Sequence, residues 1–286
     1  GSINDFANSV RVMRRHEIER IGLAWMSGVT DDATSLAGMT DVYDAIIEAS
    51  LRWAIRHQLD EMRFDEAPAA ITVIGMGRYG GREVNFSSDA DVIIIYRPTE
   101  EADDGQANLF ARKVQEDLRA ILQGPTTFEP KIELDMDLRP EGKNGPLVRS
   151  YASCEEYYRS WASTWEHQAL LRARHAAGDV ALAEDFLVNI ANPLRYPKTD
   201  LTETQIAEIR KLKARMEAER LPRGVRRERH LKLGKGGLSD VEWTIQLLQL
   251  QHAGENANLC VNGTLEALDE LERRRLIDAG DAVILR

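Results

Sequence analysis

Cysteine is almost missing from this sequence. The two present in 286 residues, Cys154 and Cys260, stand far apart and in no metal-type spacing. A disulfide framework is thereby excluded, and a reducing compartment is the expected setting. Long hydrophobic runs are missing too. The longest, Val92 to Tyr96, falls far short of the roughly 20 residues a membrane helix needs. No signal-peptide pattern opens the chain, and the leading Gly1-Ser2 resembles a cloning remnant, so the cytoplasm is the expected location. Positive charge is also in deficit. A net charge of −10 argues against general nucleic-acid binding, which requires a field that attracts phosphate. No internal repeat, low-complexity tract or sustained heptad pattern is visible. What is there, 43% hydrophobic and 29% charged residues, is ordinary for a globular chain long enough for one large domain or two smaller ones. One segment breaks the acidic trend. Arg210 to Lys235 holds eleven Lys/Arg against three Glu, and reads either as a face for an anion or as a solvated helix followed by a polar loop.

The first third reads as helix, with Val42, Ile46, Ala49, Trp53, Leu59 and Met62 keeping a helical period until Pro68. Ala69 to Met76 reads as a strand and Asp91 to Tyr96 as a buried one rich in β-branched residues. Phe110, Val114, Leu118 and Ile121 mark a helix over 106–122. Phe128 to Leu138 (FEPKIELDMDL) alternates apolar and charged residues, as expected of a half-buried strand with Glu133, Asp135 and Asp137 on one face. Beyond the RPEGKNGPL loop the pattern turns helical: Glu155 to Ala176, a short piece near 180–190, Glu203 to Arg220 behind a Thr202/Gln205 capping box, and a helix to about His252 behind Ser239/Glu242. The two prolines in NPLRYPKTDL mark a boundary. The division that follows is 1–67 helical, 68–195 mixed and 196–286 helical.

The stretch ITVIGMGRYGGREVNFSSDADVIIIY poses the functional question. Gly75, Gly77 and Gly80 spell the dinucleotide-binding G-x-G-x-x-G, yet only GREVNFSS separates them from the next strand. That is too short for the crossover helix of a Rossmann unit, so the two strands are neighbours joined by a compact turn. Asp89 and Asp91, two apart on a strand, project from one face, where their charges repel unless a cation intervenes. Hard oxygen ligands of this kind suit Mg²⁺ (or Mn²⁺) shared with triphosphate oxygens, and Asp135 on the later acidic strand supplies a third. The competing reading is a pair of solubilising charges at a strand edge. The adjoining Gly-Gly, Ser-Ser and second acidic strand favour the cation site.

This arrangement resembles the DNA-polymerase-beta type of nucleotidyltransferase fold. More closely, GMGRYGGREVNFSSDADVIIIY, DMDLRPEGKNGPLV, TWEHQALLRARHAAGD and KLGKGGLSDVEW resemble, in order, the motifs of the glutamine-synthetase adenylyltransferase/deadenylylase family. The resemblance implies an α+β fold: a polymerase-beta-like nucleotidyltransferase domain with a small mixed sheet over 68–195, flanking N-terminal helices, and a C-terminal helical domain over 196–286. The chain ends inside a helical run (DAVILR) and reads as one excised half of a two-half enzyme, more like the C-terminal, adenylylating half. The implied activity is metal-dependent transfer of AMP from ATP to a tyrosine of glutamine synthetase. The alternatives are the deadenylylating half, which removes AMP by phosphorolysis, and a non-catalytic nucleotide-binding module. Glutamine synthetase is the implied protein substrate, with glutamine and a PII-type signalling protein as regulators; no nucleic acid or membrane partner is implied.

By position, Asp89, Asp91 and Asp135 match the family's metal-binding and catalytic aspartates. Asp137 stands where many relatives carry a basic residue and shares a face with Asp135, so it is a further candidate for the third ligand. Gly80, Gly81, Ser87 and Ser88 are expected to cradle phosphates. Arg139 is expected either to neutralise phosphate or to pair with Asp137. Lys232 and Lys235, with Gly236-Gly237 ahead of a helix, place cations and a helix N-terminus where a triphosphate could use them, or else belong to a solvated Gly-rich loop. Trp165, Glu166, Leu170 and Arg174, at helical spacing, read as packing residues. No histidine falls in a ligand spacing with another.

Overall fold

The computed structural model describes residues 2–125, 129–220, 224, 226 and 229–286. It divides into two compact units, Gly1–Trp161 with Arg172–Ile190, and Ala162–Leu171 with Ala191–Arg286.

The first unit opens with two long helices, α1 (Ile3–Met26) and α2 (Asp32–Met62). Ser2 caps α1 in a reciprocal box with Asp5, and Asp31 caps α2 by accepting from the Thr34 N–H. Strand β1 (Ala69–Gly75) follows, then a single helical turn, α3 (Gly77–Gly80), and strand β2 (Ala90–Pro98). Helix α4 (Asp104–Gln123) precedes a two-residue β3 (Leu134–Asp135), β4 (Val148–Ser150), α5 (Tyr151–Ser160), β5 (Arg174–Gly178) and α7 (Val180–Asp185), with α6 (Thr164–Leu170) belonging to the second unit. The sheet runs β3-β2-β1-β5, with β4 also on β2. The β1–β2 and β1–β5 pairs are antiparallel; β2–β3 and β2–β4 are parallel. This is a small mixed sheet with flanking helices, and the one-turn α3 between antiparallel neighbours leaves no crossover helix.

Period-2 alternation sorts the strand residues. Ile71 and Val73 of β1 with Val92, Ile94 and Tyr96 of β2 join one core with α1, α2 and α4. Ile74, Ile93 and Ile95 are equally buried but have the opposite parity. On α2 the inward side chains are Met39, Tyr43, Ile46, Ile47, Leu51 and Ala54. The stripe expected from the sequence is displaced: Val42, Trp53, Leu59 and Met62 pack only partly buried against the margin of that core. One charged group is fully enclosed. The Arg11 guanidinium donates twice to the Ile121 carbonyl, at 2.9 and 2.6 Å, supplying donors to a last-turn carbonyl of α4.

Two expected elements are corrected. Ile132, Leu134 and Met136 do point inward in alternation, but only Leu134 and Asp135 pair with β2, and Phe128 lies outside the described residues. The ladder stops because side chains take over the backbone groups: Asp135 Oδ1 accepts the Asp137 N–H at 2.7 Å and Arg139 donates to the Met136 carbonyl at 2.7 Å. The single helix expected over 155–176 is α5, α6 and then strand β5. RHAAG carries little intrinsic strand preference, and pairing with β1 decides its conformation.

The second unit holds α8 (Asn192–Arg195), α9 (Glu203–Arg220), α10 (Leu238–His252), α11 (Thr264–Arg273) and α12 (Ala279–Leu285). Its core gathers Ile245, Leu259, Ala267, Leu268 and Leu271. Thr202 and Gln205 make the expected reciprocal cap. The Ser239/Glu242 cap is not formed: Ser239 lies buried inside α10, whose N-cap is Gly237, and Asp240 instead accepts the Gly236 N–H at 2.6 Å. Asp240 also pairs with Lys213 of α9. Part of the basic run, 221–223, 225, 227 and 228, lies outside the described residues. Among the described residues no helix is long and apolar enough to cross a membrane.

Ile47 is wholly buried in the core between α2 and the sheet. Ile47→Ala is expected to lower unfolding free energy by about 2–5 kcal/mol, read as a drop in the urea midpoint at unchanged slope.

Candidate functional site

The site forms where β2 begins. Asp91 pairs in parallel register with Asp135 of β3, which sets the two carboxylates side by side across a strand spacing of about 4.8 Å. Asp89, one residue before β2, shares Asp91's parity. All three have the parity opposite to the α2/α4 core, and one carboxylate oxygen of each lies within 4.8 Å of the others. Asp89 is exposed and the other two are half-buried. Three hard oxygen donors converging at that distance fit a divalent cation of the Mg²⁺ or Mn²⁺ kind, and among the described residues no His or Cys shares the cluster. Asp137 is not in it. Its carboxylate turns to Lys143 at 3.2 Å, with Arg139 at 3.9 Å, because the chain leaves the ladder after Asp135 and the shared face expected for 135 and 137 ends there.

Gly77 is what lets the glycine turn lie against this cluster. Its φ is +51°, and a Cβ there would sit 2.1 Å from Asp91 Oδ2. Only glycine tolerates both the backbone conformation and the contact. Gly80 and Gly81 serve differently from their expected role. Their N–H groups close the turn onto the Met76 and Gly77 carbonyls at 2.6 and 3.0 Å, which leaves neither amide for a phosphate. Gly80 is required for packing, since a Cβ would meet the Arg172 carbonyl at 2.0 Å.

The serine turn is built by Asn85. Its side-chain oxygen accepts the Ser87 N–H at 3.0 Å and both serine hydroxyls, at 3.2 and 3.1 Å, while the Asn85 N–H donates to Ser88 Oγ at 3.0 Å. Ser87 is exposed at the turn and Ser88 half-buried. Beneath it runs a relay from the N-terminal helices. Arg14 of α1 donates to the Tyr43 hydroxyl at 3.0 Å, and Tyr43 of α2 donates to the Ser88 carbonyl, also at 3.0 Å. Both side chains are buried, and the residue preceding Asp89 is fixed to the helical layer by the part-buried Tyr43–Ser88 bond.

A second clamp holds α3. Arg174 of β5 grips Asp44 of α2 with two nitrogens, at 3.0 and 2.8 Å, and donates to the Tyr79 carbonyl at 3.1 Å. Its guanidinium lies 4.9 Å from the centre of the Tyr79 ring. Burial, with Asp44 adding to it, pushes the Tyr79 hydroxyl well above the ordinary phenol range, so Tyr79 stays neutral. Arg174 is thus neither helical nor aligned with Trp165, Glu166 and Leu170.

Arg139 is buried and its donors are occupied: Gly145 O at 3.0 Å, Met136 O at 2.7 Å and Lys143 O at 3.2 Å. It organises the 139–145 turn. Lys232 and Lys235 are exposed in the turn before α10, in the second compact unit. Tyr43, Arg14, Asn85 and Asp44 escaped the reading of the sequence. Of these only Asn85 had a local signal, the Asn-x-Ser-Ser pattern of an Asx turn.

The chain was compared with known proteins once this geometry was in hand. Residues 3–189 match the family model described as glutamate-ammonia ligase adenylyltransferase. The chain belongs to this family. Residues 207–286 match a second model, described as GlnD PII-uridylyltransferase. Among curated relatives, the chain is 77% identical over 285 residues to a bifunctional glutamine synthetase adenylyltransferase/adenylyl-removing enzyme of Bifidobacterium longum, covering 100% of this chain and 26% of the relative. The like-named Mycobacterium tuberculosis protein is 45% identical over 276 residues, covering 96% and 27%. That of Mycobacterium leprae is 43% identical over 279 residues, covering 98% and 27%. The chain therefore spans about a quarter of the length of the curated relatives it matches.

The Tyr43 relay gives a test of how the site is held. Tyr43→Phe keeps the ring and removes the bond to Ser88; a loss of about 1 kcal/mol corresponds to roughly fivefold weaker binding of added Mn²⁺ at the triad. Mn²⁺ binding followed by electron paramagnetic resonance should fall by that factor while the circular dichroism spectrum is unchanged. Unaltered Mn²⁺ affinity would show that the relay serves folding alone.

Proposed function

We propose that this chain is the nucleotidyltransferase half that moves AMP from ATP to a tyrosine of glutamine synthetase. The observation that carries the proposal is the convergence of Asp89, Asp91 and Asp135 in a chain of this family. Asp89, Asp91 and Asp135 would hold Mg²⁺ or Mn²⁺, which when bound supplies charge neutralisation for the triphosphate and lowers the cost of ionising an incoming hydroxyl.

In this reading the tyrosine oxygen bonds to the α-phosphorus of ATP, the bond from that phosphorus to the bridging oxygen breaks, and pyrophosphate leaves with the electron pair. An unperturbed tyrosine has a pKa near 10, so its proton needs an acceptor, and the Asp135 carboxylate at the edge of the cluster is placed to receive it. Asp135 is kept in position by the Asp137 N–H at 2.7 Å. Ser87 and Ser88 present the Asn85-organised turn to the phosphates. The Arg14–Tyr43 relay and the Arg174–Asp44 clamp hold the turn and α3 rigid, so that positioning and charge placement supply the rate enhancement. Lys232 and Lys235 are assigned, from the sequence pattern, as further phosphate contacts. The chemistry belongs to 68–195, the helices of 1–67 buttress it, and 196–286 forms the helical domain. Glutamine synthetase is the protein substrate, glutamine and a PII-type protein are regulators, and the setting is the cytoplasm.

Incubating the chain with α-labelled ATP, Mg²⁺ and unmodified glutamine synthetase should label a tyrosine of the target. Release of ADP from AMP-modified target and phosphate would instead identify the adenylyl-removing direction, and nucleotide binding without either reaction a regulatory module. Asp89→Asn is expected to abolish AMP transfer and to leave the melting temperature unchanged or slightly higher, since one of three clustered negative charges is removed. Transfer by that variant at the normal rate would refute the proposed use of the cluster.

A further inference from the structure

One concavity of the first unit lies away from the carboxylate triad, with none of Asp89, Asp91 and Asp135 in its lining. It runs along one face of α4, from Asn108 to Gly124, and is closed on its other side by the loop that joins β3 to β4; its volume is about 1120 Å³. None of the chemistry described above uses it. Three observations say what it is built to hold.

The first is an unspent amide on its floor. Gln115 is 5% exposed and lines the groove, yet among the described residues its side chain has no hydrogen-bond partner. Its donor and its acceptor both remain available to a ligand in the groove. The second is unmatched positive charge. Arg112 of α4 and Lys131 line the groove without an ion-pair partner among the described residues, and Arg119 adds a third cation; Lys143, also in the lining, is taken by Asp137 at 3.2 Å. The acids there are already engaged: Glu116 with Lys113 at 2.8 Å, and Glu133 with the Gln123 amide at 3.0 Å. On a chain of net charge −10 this is a local reversal of sign. The third is shape. The wall from Asn108 to Gly124 is about 24 Å long at the helical rise, which matches about seven residues of extended peptide. The volume exceeds the roughly 300–1,000 Å³ of small-molecule pockets.

We propose that this groove binds an extended acidic peptide segment of a partner protein. The Gln115 amide pairs with one peptide group of the segment, and Arg112, Arg119 and Lys131 take its carboxylates. A primary amide donates and accepts in one plane, as a peptide group does, so Gln115 fixes the register while the rim selects charge. The proposal does not depend on the reaction at the triad, since the groove shares no residue with it.

The test uses the 286-residue chain and a fluorescein-labelled heptapeptide of alternating Glu and Ala, read by fluorescence anisotropy in low salt without nucleotide or metal. The acidic peptide should bind, and its Gln-for-Glu counterpart should bind about tenfold more weakly or less. Arg112→Glu combined with Lys131→Glu, both at exposed positions, should weaken binding by a similar factor of about ten. Gln115→Leu should weaken it about fivefold with an unchanged salt dependence, and the Gln115 side-chain amide resonances should shift on titration of the native chain. Binding unaffected by the charge-reversing pair would overturn the proposal. So would displacement of the peptide by inorganic phosphate or citrate at equal concentration, which would make the groove a small-anion site instead.

Discussion

The site rests on a two-residue ladder. Ala90 pairs with Leu134 and Asp91 with Asp135, and that short parallel contact is all that brings the third carboxylate to the other two. Its register is set from the opposite side of the sheet, where Ile132, Leu134 and Met136 are buried in the core shared by α2 and α4. A slip of one residue would put Leu134 among the aspartates and Asp135 in the core, which hydrophobic burial forbids. Apolar packing on one face therefore positions the charges on the other.

Three like charges gathered at one strand end oppose folding, and the surrounding structure shows where the opposition is met. The first unit uses buried or half-buried arginines as internal fasteners: Arg11 on the end of α4, Arg14 on Tyr43, and the half-buried Arg174 across Asp44 and the Tyr79 carbonyl. Arg11 and Arg174 each spend two nitrogens on carbonyl or carboxylate oxygens, and Arg14 spends one on the Tyr43 hydroxyl. Arg174 ends on the glycine turn, and Arg14 reaches the turn before Asp89 through Tyr43. The N-terminal helices are in this sense part of the site, although they contribute no group to the triad.

Much of this was legible along the chain because it is local. The strand pair, the short connection that rules out a crossover, the helix over α4 and the three aspartates all follow from periodicity and spacing. The resemblance in four ordered motifs pointed to the family that the chain proved to belong to. What was not legible depends on partners distant in sequence. β5 is a strand because β1 lies beside it, and nothing in RHAAG announces that. Tyr43 acts on Ser88 across 45 positions. Asp137 looked equivalent to Asp135 under strict alternation, and parts from it only because Asp135 itself captures the Asp137 N–H and bends the chain. Glycine spacing identified the turn but not the division of labour inside it, which needed the contact between Gly77 and Asp91.

That contact also explains why a dinucleotide fingerprint appears in a chain that holds no Rossmann unit. In both settings the glycines answer a demand for close backbone approach. In a crossover unit the approaching group is a pyrophosphate at the start of a long helix. Here α3 is one turn, the Gly80 and Gly81 N–H groups are used internally, and the group pressed against Gly77 is the carboxylate of Asp91. The same three letters thus serve an acidic cluster because the chain reverses into an antiparallel neighbour instead of crossing over. The connection length between the strands decides the chemistry, and the glycine spacing alone does not.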